Sequence, residues 1–181
     1  MEYACGQWRE VELPVTDPTL FSVSFADSNR GWIGGHDRNL LSTEDGGQTW
    51  MLHDLPDHIR IEYFAATSES TLWVRPAFPN PIEADTVLYR STDAGTSWHA
   101  VLVPISFRIA YQGVSFVSDM GVKAALEFFG ISLWTTSDAG EIWEEVGLLP
   151  SGTGGPWLRF FDESVEVFGN SAGGPPNPTV D

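Results

Sequence analysis

Apolar and polar residues alternate in short runs along this chain, and no stretch keeps a helical period. Residues 21–25 (FSVSF) alternate with period two, a turn-like ADSNR follows, and residues 31–34 (GWIG) and 39–43 (NLLST) give two further extended segments. The same order then returns. A second unit reads residues 61–67 (IEYFAAT), a turn at 68–70, then 71–75 (TLWVR) and 86–90 (TVLYR). A third reads residues 114–116 (VSF), a turn at 118–121 (SDMG), then 122–128 (VKAALEF) and 131–135 (ISLWT). After Pro156 the pattern starts once more, with strands expected at 157–161 and 165–168 around a turn at 162–164.

Each complete unit closes on one motif: STEDGGQTW at 42–50, STDAGTSW at 91–98 and TSDAGEIW at 136–143. The shared template is Ser or Thr, any, Asp, any, Gly, any, any, Trp. Its Asp residues, Asp45, Asp93 and Asp138, set a period of 48 and then 45 residues. Each Trp opens a short run closed by Pro, over 50–56, 98–104 and 143–150, and residues 8–14 carry the same tail without the motif. Four short strands per repeat of this length predict an all-β fold: a small β-propeller of about four blades, or an open propeller arc, built from four-stranded antiparallel sheets. The expected units are 15–56, 57–104, 105–150, and a fourth from 151–170 with 5–14 as its outer part. Residues 1–170 are thus read as one domain and 171–181 as a flexible Gly/Pro-rich tail.

The motif has a complete structural reading. Gly47, Gly95 and Gly140 can take the positive φ of a tight reversal without a Cβ penalty. Asp45, Asp93 and Asp138 can accept from turn N–H groups, and the leading hydroxyl can hold the Asp. Trp50, Trp98 and Trp143 can cover the turns with apolar area. Calcium binding would call for several carboxylates per turn, and each motif offers one Asp, with Glu44 added in the first copy alone.

Composition narrows the partners. The 25 acidic residues exceed the nine basic ones, giving a net charge of −16, which argues against nucleic acid and against anionic lipid surfaces. A single Cys5 forms no internal disulfide framework and no Cys-rich zinc site. No apolar run is long enough to span a membrane, and MEYACGQW shows neither the charged nor the apolar region of a signal peptide. No catalytic set and no cofactor motif is legible. The cluster His53, Asp54, Asp57 and His58 straddles a strand end and a Pro turn, where its side chains diverge, so no metal is expected. The GTGG at 152–155 has no following Lys and no helix start, so it reads as a linker.

The three motifs resemble the Asp-box, or BNR (bacterial neuraminidase) repeat, of β-propellers. The phrase FADSNRGWIGG…LLSTEDGGQTW is most similar to the photosystem II assembly/stability factor branch of that group, over about residues 8–170. The resemblance implies a non-enzymatic, protein-binding propeller. It implies an accessory or assembly subunit docking on a membrane-bound photosynthetic or electron-transfer complex, without itself spanning the membrane. It further implies an extracytoplasmic location, on the periplasmic or lumenal side. That branch has more blades than this chain can make.

Arg60 (HIRIEY), Arg108 (SFRIAY) and Arg159 (WLRFFD) recur just before or at the start of the first strand of a unit. In a propeller that position faces the mouth opposite the Asp-boxes. The resemblance implies that these three form an arginine-lined partner surface; the alternative is that each pairs with a neighbouring carboxylate. The insertion at 76–85 (PAFPNPIEAD) is expected on the same face, with Phe78 and Ile82 as apolar contact residues on a Pro-stiffened loop. An alternative function is a carbohydrate-binding or sialidase-like propeller that recognises an anionic glycan through the arginines. It lacks the Arg-Ile-Pro element and the blade count of sialidases.

Overall fold

The computed structural model describes residues 10–16, 19–35, 39–56, 59–76, 87–103, 108–127, 131–148, 156–160 and 166–170. At 21, 108–113, 125–127, 131, 148, 156–160 and 166–170 it describes the backbone alone. All secondary structure among these residues is β, so no helix there is long and apolar enough to cross a membrane. The first blade holds β1 (Leu20–Phe25), β2 (Gly31–Gly35), β3 (Asn39–Thr43) and β4 (Met51–Asp54). The second holds β5 (Ile61–Ala66), β6 (Leu72–Pro76), β7 (Val87–Ser91) and β8 (His99–Leu102). The third holds β9 (Arg108–Phe116), β10 (Val122–Glu127), β11 (Ile131–Thr136) and β12 (Glu144–Leu148). A two-stranded sheet of β13 (Pro156–Phe160) and β14 (Glu166–Asn170) follows. Each four-stranded sheet is an antiparallel meander in chain order, as a propeller blade requires.

The register makes the repeat visible in three dimensions. Gly31 faces Thr43, Leu72 faces Ser91, and Val122 faces Thr136, so each motif starts from the same rung of its sheet. One rung further in stand Trp32, Trp73 and Lys123. Two apolar layers lie between successive blades. Trp32, Leu40, Leu55, Ile59, Ile61, Phe64, Leu72 and Val74 fill the first, and Trp73, Leu88, Val103, Val114, Phe116, Val122 and Ala124 the second. Alternation explains the first layer: Trp32 and Leu40 point toward the second blade, while Val23 and Phe25 point away and stay exposed. Polar residues complete the same face. The Ser24 hydroxyl accepts the N–H of Ala66 across the blades at 2.9 Å. Gly34 is required by this packing, because a methyl there would lie 2.8 Å from the ring of Phe64. In the second layer Phe116 stacks on Trp73 and on Tyr63, with centroids 5.6 and 5.8 Å apart. Such pairs add about 0.5–1.5 kcal/mol each beyond area burial.

Two details depart from the sequence reading. β9 runs back from the expected VSF to Arg108, with a register shift opposite Ala124 and Leu126 that absorbs its irregular middle. The expected outer strand over 8–13 is not seen in its described part: residues 10–13 are in no strand.

Candidate functional site

The two ends of each blade differ, and the Asp-box end is closed on itself. Thr43 donates its hydroxyl to Asp45 Oδ1 at 2.8 Å and accepts the N–H of Gly47 at 2.9 Å. The same carboxylate accepts the N–H groups of Gln48 and Thr49, both at 2.9 Å, and the Thr49 hydroxyl at 2.6 Å. The second box repeats this: Ser91 donates to Asp93 at 2.8 Å and accepts from Gly95 at 2.8 Å, while Ser97 gives both its N–H and its hydroxyl. The hydroxyls and N–H groups of Thr49 and Ser97 hold the Asp45 and Asp93 carboxyls down at about 2. In the third box Ile142 stands where Thr49 and Ser97 stand. Asp138 therefore keeps the N–H of Ile142 at 3.0 Å and the Thr136 hydroxyl at 2.7 Å, but gains no second hydroxyl. Its carboxyl is still lowered, first by the Ile142 N–H.

Gly47, Gly95 and Gly140 take φ of 86°, 97° and 92°, as the motif predicts. The residues before them are left-handed too: Gly46 at 70°, Ala94 at 59° and Ala139 at 63°. A bond within each blade holds this turn. The N–H groups of Gly46, Ala94 and Ala139 donate to the carbonyls of Asn29, Ser70 and Met120, each at 2.8 Å. The Asp-box turn is thus clipped to the first hairpin turn of its own blade. Trp50 and Trp98 finish the turns by donating to the carbonyls of Gly47 and Gly95 at 3.2 and 3.1 Å. Both carboxylate oxygens of Asp45 and of Asp93 have a partner within their own turn. Among the described residues no group of acidic, His or Cys side chains could hold a metal. His53, considered above for a metal, shares a 2.8 Å hydrogen bond with Ser42, and burial lowers its pKa.

The opposite end carries the arginines. Arg60 is exposed just before β5, and Arg108 opens β9 opposite Glu127. Both lie at the strand end farthest from the first hairpin turn of their blades. Arg159 does not join them. It pairs with Val167, one rung from the connection between β13 and β14, so the expectation of three arginines at one mouth is corrected for this residue. Phe78 and Ile82 lie outside the described residues.

Arg75, which the sequence reading passed over, is at the Arg60 end and is 3% exposed. It bonds Glu62 at 3.1 Å, and Arg75 Nε and Glu62 Oε2 are buried with no partner. Glu62 is therefore engaged by Arg75, and Arg60 forms no ion pair among the described residues. The only sequence signal was Glu62 and Arg75 on adjacent strands, each near its end.

The fold and its closed turns define an Asp-box β-propeller arc, with Arg60, Arg75 and Arg108 at the end opposite the boxes. The family described as Photosynthesis system II assembly factor YCF48 matches residues 2–146, and the chain belongs to it. Photosystem II assembly protein Ycf48 of Thermosynechococcus vestitus is 44% identical over 43 residues, covering 24% of this chain and 12% of that protein. Photosystem II assembly lipoprotein Ycf48 of Synechococcus sp. (strain CC9902) is 24% identical over 139 residues, 76% of this chain and 39% of the relative. Two solved structures share the fold. One is YCF48 bound to D1 peptide, with a TM-score of 0.58 and 21% identity over 94% of this chain and 56% of that one. The other is YCF48 from Cyanidioschyzon merolae, with a TM-score of 0.60 and 23% identity over 83% and 49%. The chain spans about half the length of these solved relatives.

Proposed function

We propose that the chain is a non-enzymatic assembly factor that binds a subunit of photosystem II through the strand ends bearing Arg60 and Arg108. The observation that carries this is the family match over residues 2–146. The relative solved with a D1 peptide supports a polypeptide as the ligand class. The geometry supports this end: Asp45 and Asp93 spend their carboxylates on their own turns, whereas Arg60 is exposed. A guanidinium can take a carboxylate in a two-pronged bond, which suits an acidic or C-terminal segment. Phe78 and Ile82 supply the apolar part of the contact, since their loop leaves β6 at Pro76, next to the Arg60 end. The working unit is the repeat array over 1–170, on the extracytoplasmic face of the membrane, a placement supported by the relative named as a lipoprotein.

Affinity purification of the tagged chain from its own cells tests this. Photosystem II subunits should co-purify, and Arg60→Glu with Arg108→Glu should reduce their recovery by about tenfold, as loss of charge-assisted pairs predicts. Arg159→Glu should leave recovery unchanged. Purification without any photosystem II subunit would overturn the proposal.

A further inference from the structure

The third Asp-box departs from the other two in the direction of its Trp. Trp143 lies beside Gly140 of its own turn, but its indole N–H donates to the carbonyl of Leu102 in β8, at 3.1 Å, instead of to that turn. The ring therefore lies across the gap between the second and third blades. Gly140 makes this approach possible, since a methyl there would overlap Val101. Beside the ring runs an open cleft of about 670 Å³, lined by Val101, Leu102, Trp134, Glu141 and Trp143 among others. Its apolar lining reaches the surface at Leu102, which is 59% exposed. The rim is acidic: Glu141 lines the cleft and Glu145 stands opposite Trp134 on the same face, both exposed.

We infer that this cleft binds a polypeptide segment in which an apolar or aromatic anchor side chain is flanked by Lys or Arg. Contiguous exposed apolar area beside polar residues marks an interaction surface. The volume falls in the range of about 300–1,000 Å³ typical of specific sites and admits one or two large side chains. The charge chooses the occupant. Two carboxylates at the rim, on a chain of net charge −16, repel an acidic segment and attract a basic one. The indole of Trp143 offers a face to a cation. The cleft is built on the Asp-box turn over 139–141, away from the end that carries Arg60 and Arg108. The two surfaces thus take segments of opposite charge, and the inference stands independently of the function proposed above.

The test uses the full chain and labelled synthetic peptides followed by fluorescence anisotropy: a Leu-Phe anchor flanked by Lys/Arg, the same anchor flanked by Glu, and the basic peptide with the anchor changed to Ser. The first should bind, with affinity falling as salt rises, and the other two should bind at least about tenfold more weakly. Glu141→Lys with Glu145→Lys should cost about tenfold, and Leu102→Ser a similar factor, with thermal unfolding confirming that each variant folds. Arg60→Glu should change nothing. Absence of binding by the basic anchored peptide, equal binding of the Glu-flanked one, or equal binding by the charge-reversed variant each overturns the inference. So does self-association that Leu102→Ser abolishes, which would assign the surface to a second copy.

Discussion

Trp32 in the first blade donates its indole N–H to the carbonyl of Ala94 in the second blade, at 3.2 Å. Ala94 is the left-handed residue of the second Asp-box, so one bond joins a core Trp to the neighbouring blade's turn. Trp32→Phe keeps most of the apolar area and leaves that carbonyl without its donor. The expected cost is about 1–3 kcal/mol, read from urea unfolding at constant m-value.

The leading hydroxyl of the motif should matter more than its Asp. Ser91 is fully buried and receives the N–H of Gly95, whereas Asp93 lies at the surface, where water can replace it. Ser91→Ala should cost about 1–3 kcal/mol and Asp93→Ala about 1 kcal/mol, both measured by chemical unfolding. The reverse ranking would mean that the carboxylate organises the turn.

Acid should loosen the boxes in a defined window. The carboxyls of Asp45 and Asp93 titrate at about 2 in the folded chain, below the ordinary value of 3.8. A lowered folded pKa gives stability that is present above the unfolded pKa and is lost as pH falls through the folded one. Unfolding midpoints should therefore drop between about pH 4 and pH 2. Ile142→Thr restores the missing hydroxyl of the third box and should lower the Asp138 carboxyl further, which carboxyl-carbon NMR titration reads directly.

The buried pair at the end opposite the boxes should respond asymmetrically. Glu62→Leu leaves the Arg75 guanidinium without its carboxylate in the interior and should cost about 3 kcal/mol. Glu62→Leu combined with Arg75→Met removes both charges and should recover most of that loss, since an apolar pair of similar volume is often neutral or better. Thermal unfolding of the two variants decides it.

Strand pattern and motif spacing were legible because both are local. FSVSF alternates because β1 has two unlike faces, the serines turning to the second blade and Val23 and Phe25 away from it, and Gly47, Gly95 and Gly140 mark a backbone that other residues avoid. What stayed hidden was set at a distance. Ala94 and Ala139 are left-handed without any local mark, because carbonyls of Ser70 and Met120 hold their N–H groups. Arg75 carried no signal of its own, because its partner Glu62 is brought beside it only by the pairing of β5 with β6. Trp143 carries the same motif letter as Trp50 and Trp98, yet finds its acceptor in another blade. Arg159 sits between apolar residues as Arg108 does, but pairing with β14 places it toward the other end of its strand.

The bond from each Asp-box N–H to the first hairpin turn has a consequence for what can change. It fastens the four strands of a blade at one end only. Any segment inserted at the other end leaves those fastenings untouched. Lengthening there is tolerated by the scaffold, and the connection after Pro76, longer than its counterparts after Gly35 and Glu127, is at that end. The chain thus keeps its turn fastenings and this longer connection at opposite ends of the blades, so a contact surface can be rebuilt at one end without loosening the other.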